Sequence, residues 1–193
     1  MQITGMAAVL SDCSPGMEAL FSRWMDLDYV PEVAALPGVA VVYRYLAPQT
    51  SVDMRAAHGI AALEGGKGRW LNLVLLTGEP VLAWEQLQEF DERRAKAGRT
   101  FPGHKVAHVE VGRFEKTYAP RGSALAPQAI PFIATRGLYL GVGDLVDEAK
   151  AADVVKYYDE CTSPTCSALR ACWASPATVR CHRYRVRSRA GAS

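Results

Sequence analysis

With 49% hydrophobic and 22% charged residues, a chain of 193 residues can bury a core, and 22 Lys+Arg against 20 Asp+Glu leave a net charge of only +2. That near-balance excludes whole-surface attraction to nucleic acid, which depends on neutralising many phosphates. No apolar run approaches the roughly 18 residues of a membrane span and the start lacks the features of a signal peptide, so a cytoplasmic protein with no membrane or nucleic-acid partner is expected.

Ile3 to Leu10 is a short apolar run that reads as a first strand, followed by a Ser-Asp-Cys-Ser-Pro-Gly turn. Met17, Leu20, Phe21, Trp24 and Asp28 then share one helix face, with Ser14-Pro15 supplying the cap and first-turn proline and Pro31 the stop. Leu36-Pro37-Gly38 turns the chain into a second strand, Val39 to Leu46, rich in β-branched and aromatic residues. Ala47 to Gly68 reads mostly as loop. Its Gly65-Gly66-Lys67-Gly68 cluster lacks phosphate-loop spacing, and Gly141-x-Gly143 lacks the third glycine of a dinucleotide fingerprint.

Arg69 to Leu76 alternates Trp70, Asn72 and Val74 against Leu71, Leu73 and Leu75, a strand with one mixed and one aliphatic face. The aliphatic face is expected under the helices, which turns Trp70, Asn72, Tyr43 and Tyr45 toward the uncovered side. Thr77-Gly78-Glu79-Pro80 opens a helix to about Ala97, with Ala83, Leu87 and Phe90 buried, basic residues in its last turn and Gly98 as its stop. Val111 to Tyr118 forms a fourth strand. The order is β-α-β-β-α-β, an α+β split arrangement in which two helices cover one face of an antiparallel sheet. An apolar opposite face has to meet a second sheet.

A partial copy follows. Tyr157-Tyr158-Asp159 and Pro164 repeat Trp24-Met25-Asp26 and Pro31 at one spacing, and Cys181-His182-Arg183-Tyr184 repeats Val42-Tyr43-Arg44-Tyr45. This gives a first repeat over 1–120, a linker over 121–131 and a truncated second βαβ repeat over 132–193. The basic tail from Arg180 to Arg189 reads as a strand running into a frayed end.

The phrase Phe21-x-x-Trp24-x-Asp26-x-x-Tyr29-Val30-Pro31-Glu32, with Leu36-Pro37-Gly38 and Tyr43-Arg44-Tyr45, resembles the EthD-like branch of the dimeric α+β barrel superfamily. The resemblance implies two ferredoxin-like sheets facing each other around a small-molecule pocket, and a homodimer. It also implies cofactor-free chemistry on a small hydrophobic, aromatic or polyketide-like carbonyl compound: cyclisation, isomerisation, decarboxylation or oxygenation. Where this family carries a pocket histidine the chain has Tyr29, a poor base at neutral pH but a good hydrogen-bond donor.

Four histidines are candidates for proton transfer, and His58, His104 and His108 are assigned to it beside Tyr29. Trp24, Tyr43, Tyr45, Trp70, Asn72 and Tyr118 are expected to line the pocket. His104 and His108 at i, i+4 would form a metal pair on a helix, but Glu110 is the one candidate for a third ligand nearby, and Cys161, Cys166, Cys172 and Cys181 fit no zinc spacing, so no metal or other cofactor is expected. Two further readings compete with the enzyme. One is a binding or accessory protein, favoured by the missing family histidine; the other is a haem-binding monooxygenase, which requires an axial histidine facing the cavity.

Overall fold

The computed structural model describes residues 2–55, 61–118, 127–133, 138, 140, 153, 156 and 178–183. The chain divides into two compact units, Met1–Phe114 with Cys181–Ser193, and Glu115–Arg180. Within the second unit the described structure comprises a strand end reaching Tyr118, a short 3-10 helix, Pro127–Phe132, which overlaps the expected linker, and the start of a strand at Thr178. His58, Tyr157, Tyr158, Asp159, Pro164, Cys161, Cys166 and Cys172 lie outside the described residues.

The first unit carries the architecture. Strand β1 (Gly5–Asp12) leads through helix α1 (Glu18–Trp24), a π-helical turn (Met25–Tyr29) and helix α2 (Val30–Ala34) to strand β2 (Val39–Leu46). Helix α3 (Gln49–Asp53) and a kinked 3-10 segment (Ala61–Gly66) occupy the connection to strand β3 (Trp70–Leu76). Helix α4 (Pro80–Lys96) and strand β4 (Lys105–Tyr118) follow, and a strand β5 (Thr178–Arg183) is found where the repeat of Tyr43-Arg44-Tyr45 was expected. The strand order is β2-β3-β1-β4-β5, with β1 antiparallel to both β3 and β4 and β2 antiparallel to β3. The chain is α+β, and its first four strands are ordered in a way compatible with a ferredoxin-like fold.

The first helical stretch corrects two expectations. Ser14 does not cap it: the Met17 N–H bonds the Ser14 carbonyl at 3.1 Å and Gly16 has φ 83, closing a Pro-Gly turn before the helix starts. Pro31 does not end it either. The π turn widens the helix ahead of the proline, which then sits in the first turn of α2, where a missing N–H costs nothing. The buried residues fall every fourth position, Phe21, Met25, partly Tyr29, then Val33. On a regular α-helix each such step drifts by about 40°, and the wide turn takes up that drift so that all four meet the sheet. Leu20, expected on this stripe, is exposed.

Helix α4 follows its sequence closely. Ala83, Trp84, Leu87 and Phe90 join Ala7, Val74, Leu76, Val33 and Val111 in one core. Its end is a Schellman cap, with Gly98 at φ 70 and the Arg99 N–H on the Arg94 carbonyl at 2.9 Å.

The faces of β3 are reversed from expectation. Val74 and Leu76 pack under the helices, Asn72 Nδ2 lies 3.6 Å from Met25 Sδ, and the Trp70 ring meets Phe21 edge-on. Leu71, Leu73 and Leu75 look the other way, beside Met6, Ala8 and Leu10 by register. That second face is not bare: all six residues are buried within the single chain. Leu63 contributes at one end, where it and Leu10 crowd Gly68 from either side.

Candidate functional site

The helix-covered face gathers an aromatic compartment at the end of the sheet where β1 runs into α1. Phe21, at 0% exposure, is its centre: Trp70 stands edge-on to it at 5.3 Å, Phe101 at 5.3 Å, and the His104 ring lies 5.2 Å away. Trp24 extends the wall, 5.6 Å from Phe101 and stacked on Tyr29 at 5.4 Å. Phe101 and His104 arrive together because Phe101-Pro102-Gly103-His104 is a tight turn, closed by the His104 N–H on the Phe101 carbonyl at 3.2 Å. Gly103 is required there twice over. Its φ is 78, and a Cβ would lie 2.1 Å from Ser14 Oγ, so this turn seats directly against the Ser14–Met17 turn that opens α1.

Beside the compartment, α4 clamps the π turn. Arg94, with a side chain 5% exposed, pairs with Asp28 and with Glu32 (2.5 Å), and its guanidinium lies 5.6 Å from the centroids of Trp24, Tyr29 and Phe90. Arg99 adds further bonds to Asp28 and to Glu32 (2.6 Å). The two arginines hold both carboxyls below the usual carboxylate range, Arg94 first for Asp28 and Arg99 first for Glu32. Tyr29, in this clamp, donates its hydroxyl to Asp91 Oδ2 at 3.2 Å. Burial drives the Asp91 carboxyl up to about 6, and burial with the neighbouring Asp91 charge pushes the Tyr29 phenol well above its ordinary range. Tyr29 is therefore no base, and its proton already has an acceptor.

Around Trp70 and Phe21 the structure leaves buried polar atoms without a hydrogen-bond partner among the described residues: Ser11 Oγ, His104 Nε2, and Arg44 Nε and Nη2. Ser11 is fully buried and lies opposite Trp70 in the β1–β3 register. Leaving such a group unpaired costs about 1–3 kcal/mol, and folded proteins satisfy such groups with protein, ordered water or a ligand. Burial lowers the His104 pKa, opposed by the Asp12 charge, so the imidazole is neutral at physiological pH, in a ring packed near Phe21 and Trp24.

The sheet divides the residues that the sequence nominated. Trp24, Tyr29, Trp70, Asn72 and His104 lie on the helix-covered side. Tyr43 and Tyr45, 6.5 Å apart, lie on the other, in register with Leu73 and Leu71. His108 is there too, opposite Leu10 and 3.3 Å from Glu110 Oε2. His104 and His108 are thus no helical pair, because the segment is a turn followed by a strand. The side chain of Tyr118 lies outside the described residues. Ser11, Arg44, Asp91, Arg94 and Phe101 were not nominated. Only Arg44 carried a signal, its place inside the Tyr43-Arg44-Tyr45 phrase.

No group of three or more His, Cys, Asp or Glu side chains able to hold a metal occurs among the described residues, and no helix there is long and apolar enough to cross a membrane. No protein-family profile, curated protein or solved structure matches the chain.

Proposed function

We propose that this chain is a cofactor-independent enzyme that moves a proton on a small, hydrophobic, enolisable carbonyl compound of aromatic or polyketide type. The observation that carries the reading is His104: a neutral imidazole whose Nε2 is buried and without a partner among the described residues, in a ring that lies 5.2 Å from Phe21 and 6.2 Å from Trp24. A group so placed accepts a proton from the carbon next to a carbonyl and returns it. The Ser11 hydroxyl, buried on the same side of the sheet, is the donor available to the oxygen on which negative charge develops. The aromatic rings hold the flat body of the substrate and keep water out.

Deuterium uptake from heavy water into an aromatic 1,3-diketone tests this. Wild-type protein is expected to accelerate exchange, and His104→Gln to lose about 10²–10⁴-fold of that acceleration, the usual contribution of a positioned base. Because burial lowers the His104 pKa, the wild-type rate stays level on acidification past the ordinary histidine value of 6.5 and falls only below it. Exchange unaffected by the substitution removes the catalytic assignment.

A second reading is a ligand-binding or accessory protein. It is favoured by the engagement of Tyr29 with Asp91, which spends the one hydroxyl that the sequence had offered as a polarising donor. Binding of the diketone without exchange is the result that selects it.

Membership of the EthD-like branch, a truncated second repeat over 132–193 and a homodimer belong to the same proposal. Support comes from the Phe21 to Glu32 phrase, the β-α-β-β-α-β order and the matched spacing of the second copy. For the dimer, β2 stands at the edge of the sheet among the described residues and is free of proline. Light scattering is expected to give twice the 21.0 kDa of one chain, and a monodisperse monomer contradicts it.

A further inference from the structure

We infer that Arg44 is the anchor of a carboxylate subsite in the helix-covered compartment, so that the small molecule bound there is an aromatic or conjugated acid. Arg44 lies in β2 opposite Asn72, and its guanidinium carbon is 5.3 Å from the centroid of the Trp70 ring. One of its three nitrogens is spent. Nη1 donates to the Ser22 carbonyl at 3.3 Å and pairs with Asp26. The other two, Nε and Nη2, are buried and have no partner among the described residues.

Which two are idle decides the ligand. Nε–H and one N–H of Nη2 point the same way from one edge of the guanidinium, the fork that receives both oxygens of a single carboxylate in parallel bonds. The α1 backbone and Asp26 hold the opposite corner and the Trp70 ring lies against the guanidinium, so the fork is held in place before any ligand arrives. The side chain is only 14% exposed, and Asp26 already balances its charge from an exposed position. Selection therefore comes from the direction of two bonds and not from net positive charge, which the chain as a whole lacks. Trp70 lies opposite Ser11 in the β1–β3 register and meets Phe21, whose ring in turn lies 5.2 Å from His104. A flat acid with its carboxylate on the fork places its body beside Trp70.

This inference rests on the reading that the compartment takes a small molecule, and it adds that the molecule is an acid. The two are separated by titrating the protein with sodium benzoate and with benzamide, which has the same shape but cannot fill both acceptor positions, and following the indole signals by NMR and the heat by calorimetry. Benzoate is expected to bind at least about tenfold more tightly than benzamide, and Arg44→Lys, which keeps the charge but loses the fork, to erase that preference while benzamide binding persists. Circular dichroism reports whether the variant folds, and if it does not, the ratio on wild-type protein decides alone. Benzamide binding as well as benzoate, or better, overturns the carboxylate subsite and leaves the compartment standing, as does an undiminished preference in a folded Arg44→Lys. Absence of binding by both probes overturns the subsite and the compartment reading together.

Discussion

Phe21→Ala is expected to cost about 4 kcal/mol of unfolding free energy, near the middle of the ~3–5 kcal/mol range for deleting a buried phenyl ring. Phe21 has no exposure to solvent and, among the described residues, is the one whose ring meets those of Trp24, Trp70, Phe101 and His104 together. Its removal takes away dispersion contacts on four sides. It also leaves a space that those rings cannot close, because each is tied elsewhere: Trp24 to Tyr29 and the Arg94 guanidinium, Trp70 to the Arg44 guanidinium, and Phe101 and His104 to their Pro-Gly turn. Urea denaturation measures the loss as a lower midpoint at unchanged slope. Phe21→Leu, which refills most of the volume, is the control and is expected to cost under about 1.5 kcal/mol. A loss for Phe21→Ala no greater than that of the leucine variant shows that the compartment does not depend on the ring.

The same side chain marks how far the sequence could be read. Phe21 was legible as core, since a helical stripe after a Pro-Gly turn has one place to go, and the order of strands and helices followed from the turns. Helix α4 was legible to its last residue because its stop is chemical: Gly98 accepts the left-handed conformation that lets Arg99 close the cap. The faces of β3 were not legible. Both of its faces are apolar enough for a core, and alternation states only that two faces exist, not which one the helices cover. The all-leucine face looked the more core-like, yet Trp70 and Asn72 are the residues that meet the helices, because Phe21 offers Trp70 a ring edge and Met25 offers Asn72 a polarisable sulfur.

The site was less legible than the scaffold, for a physical reason. Its groups come from positions distant along the chain, Ser11, Arg44, Trp70 and His104, and only strand register brings them together. The register turns Arg44 under the helices while the tyrosines on either side of it turn away. The i, i+4 spacing of His104 and His108 was misleading for the complementary reason. It is a helical spacing in a segment that Pro102 and Gly103 make a turn, so the sheet separates the two rings. Pro31 misled as well. As a helix breaker it is a stop, but one turn after a π-helical widening it is a permitted first-turn residue.

Arg94→Met is expected to cost on the order of 2–3 kcal/mol at pH 7, below the ~3–5 kcal/mol of a fully buried broken pair because Asp28 and Glu32 are each about one-third exposed and water screens them. Methionine keeps much of the aliphatic packing against Trp24 and Phe90, so the loss reports the charge. The carboxyls that face Arg94 contribute to stability with opposite pH dependence, although the loss on removing the guanidinium shrinks as each of them is protonated. Asp91 has a folded pKa raised from the ordinary 3.8 to about 6, so its stabilising contribution is complete below the ordinary value and is lost as pH rises through about 6. Arg94 opposes that rise, and without it the buried carboxylate disfavours the fold further at neutral pH. Asp28 and Glu32 are held below their ordinary values, so what they contribute is present above that range and disappears as pH falls through the lowered values. The gap between wild type and Arg94→Met, followed by urea denaturation from pH 8 to pH 3, should therefore narrow in two steps. The first comes as Asp91 takes up its proton near and above pH 6, and the second only in strong acid, when Asp28 and Glu32 do. A gap that does not change between pH 8 and pH 5 shows that Asp91 does not sense the guanidinium, and with it falls the picture of the Tyr29–Asp91 bond as part of the clamp that holds the π turn against α4.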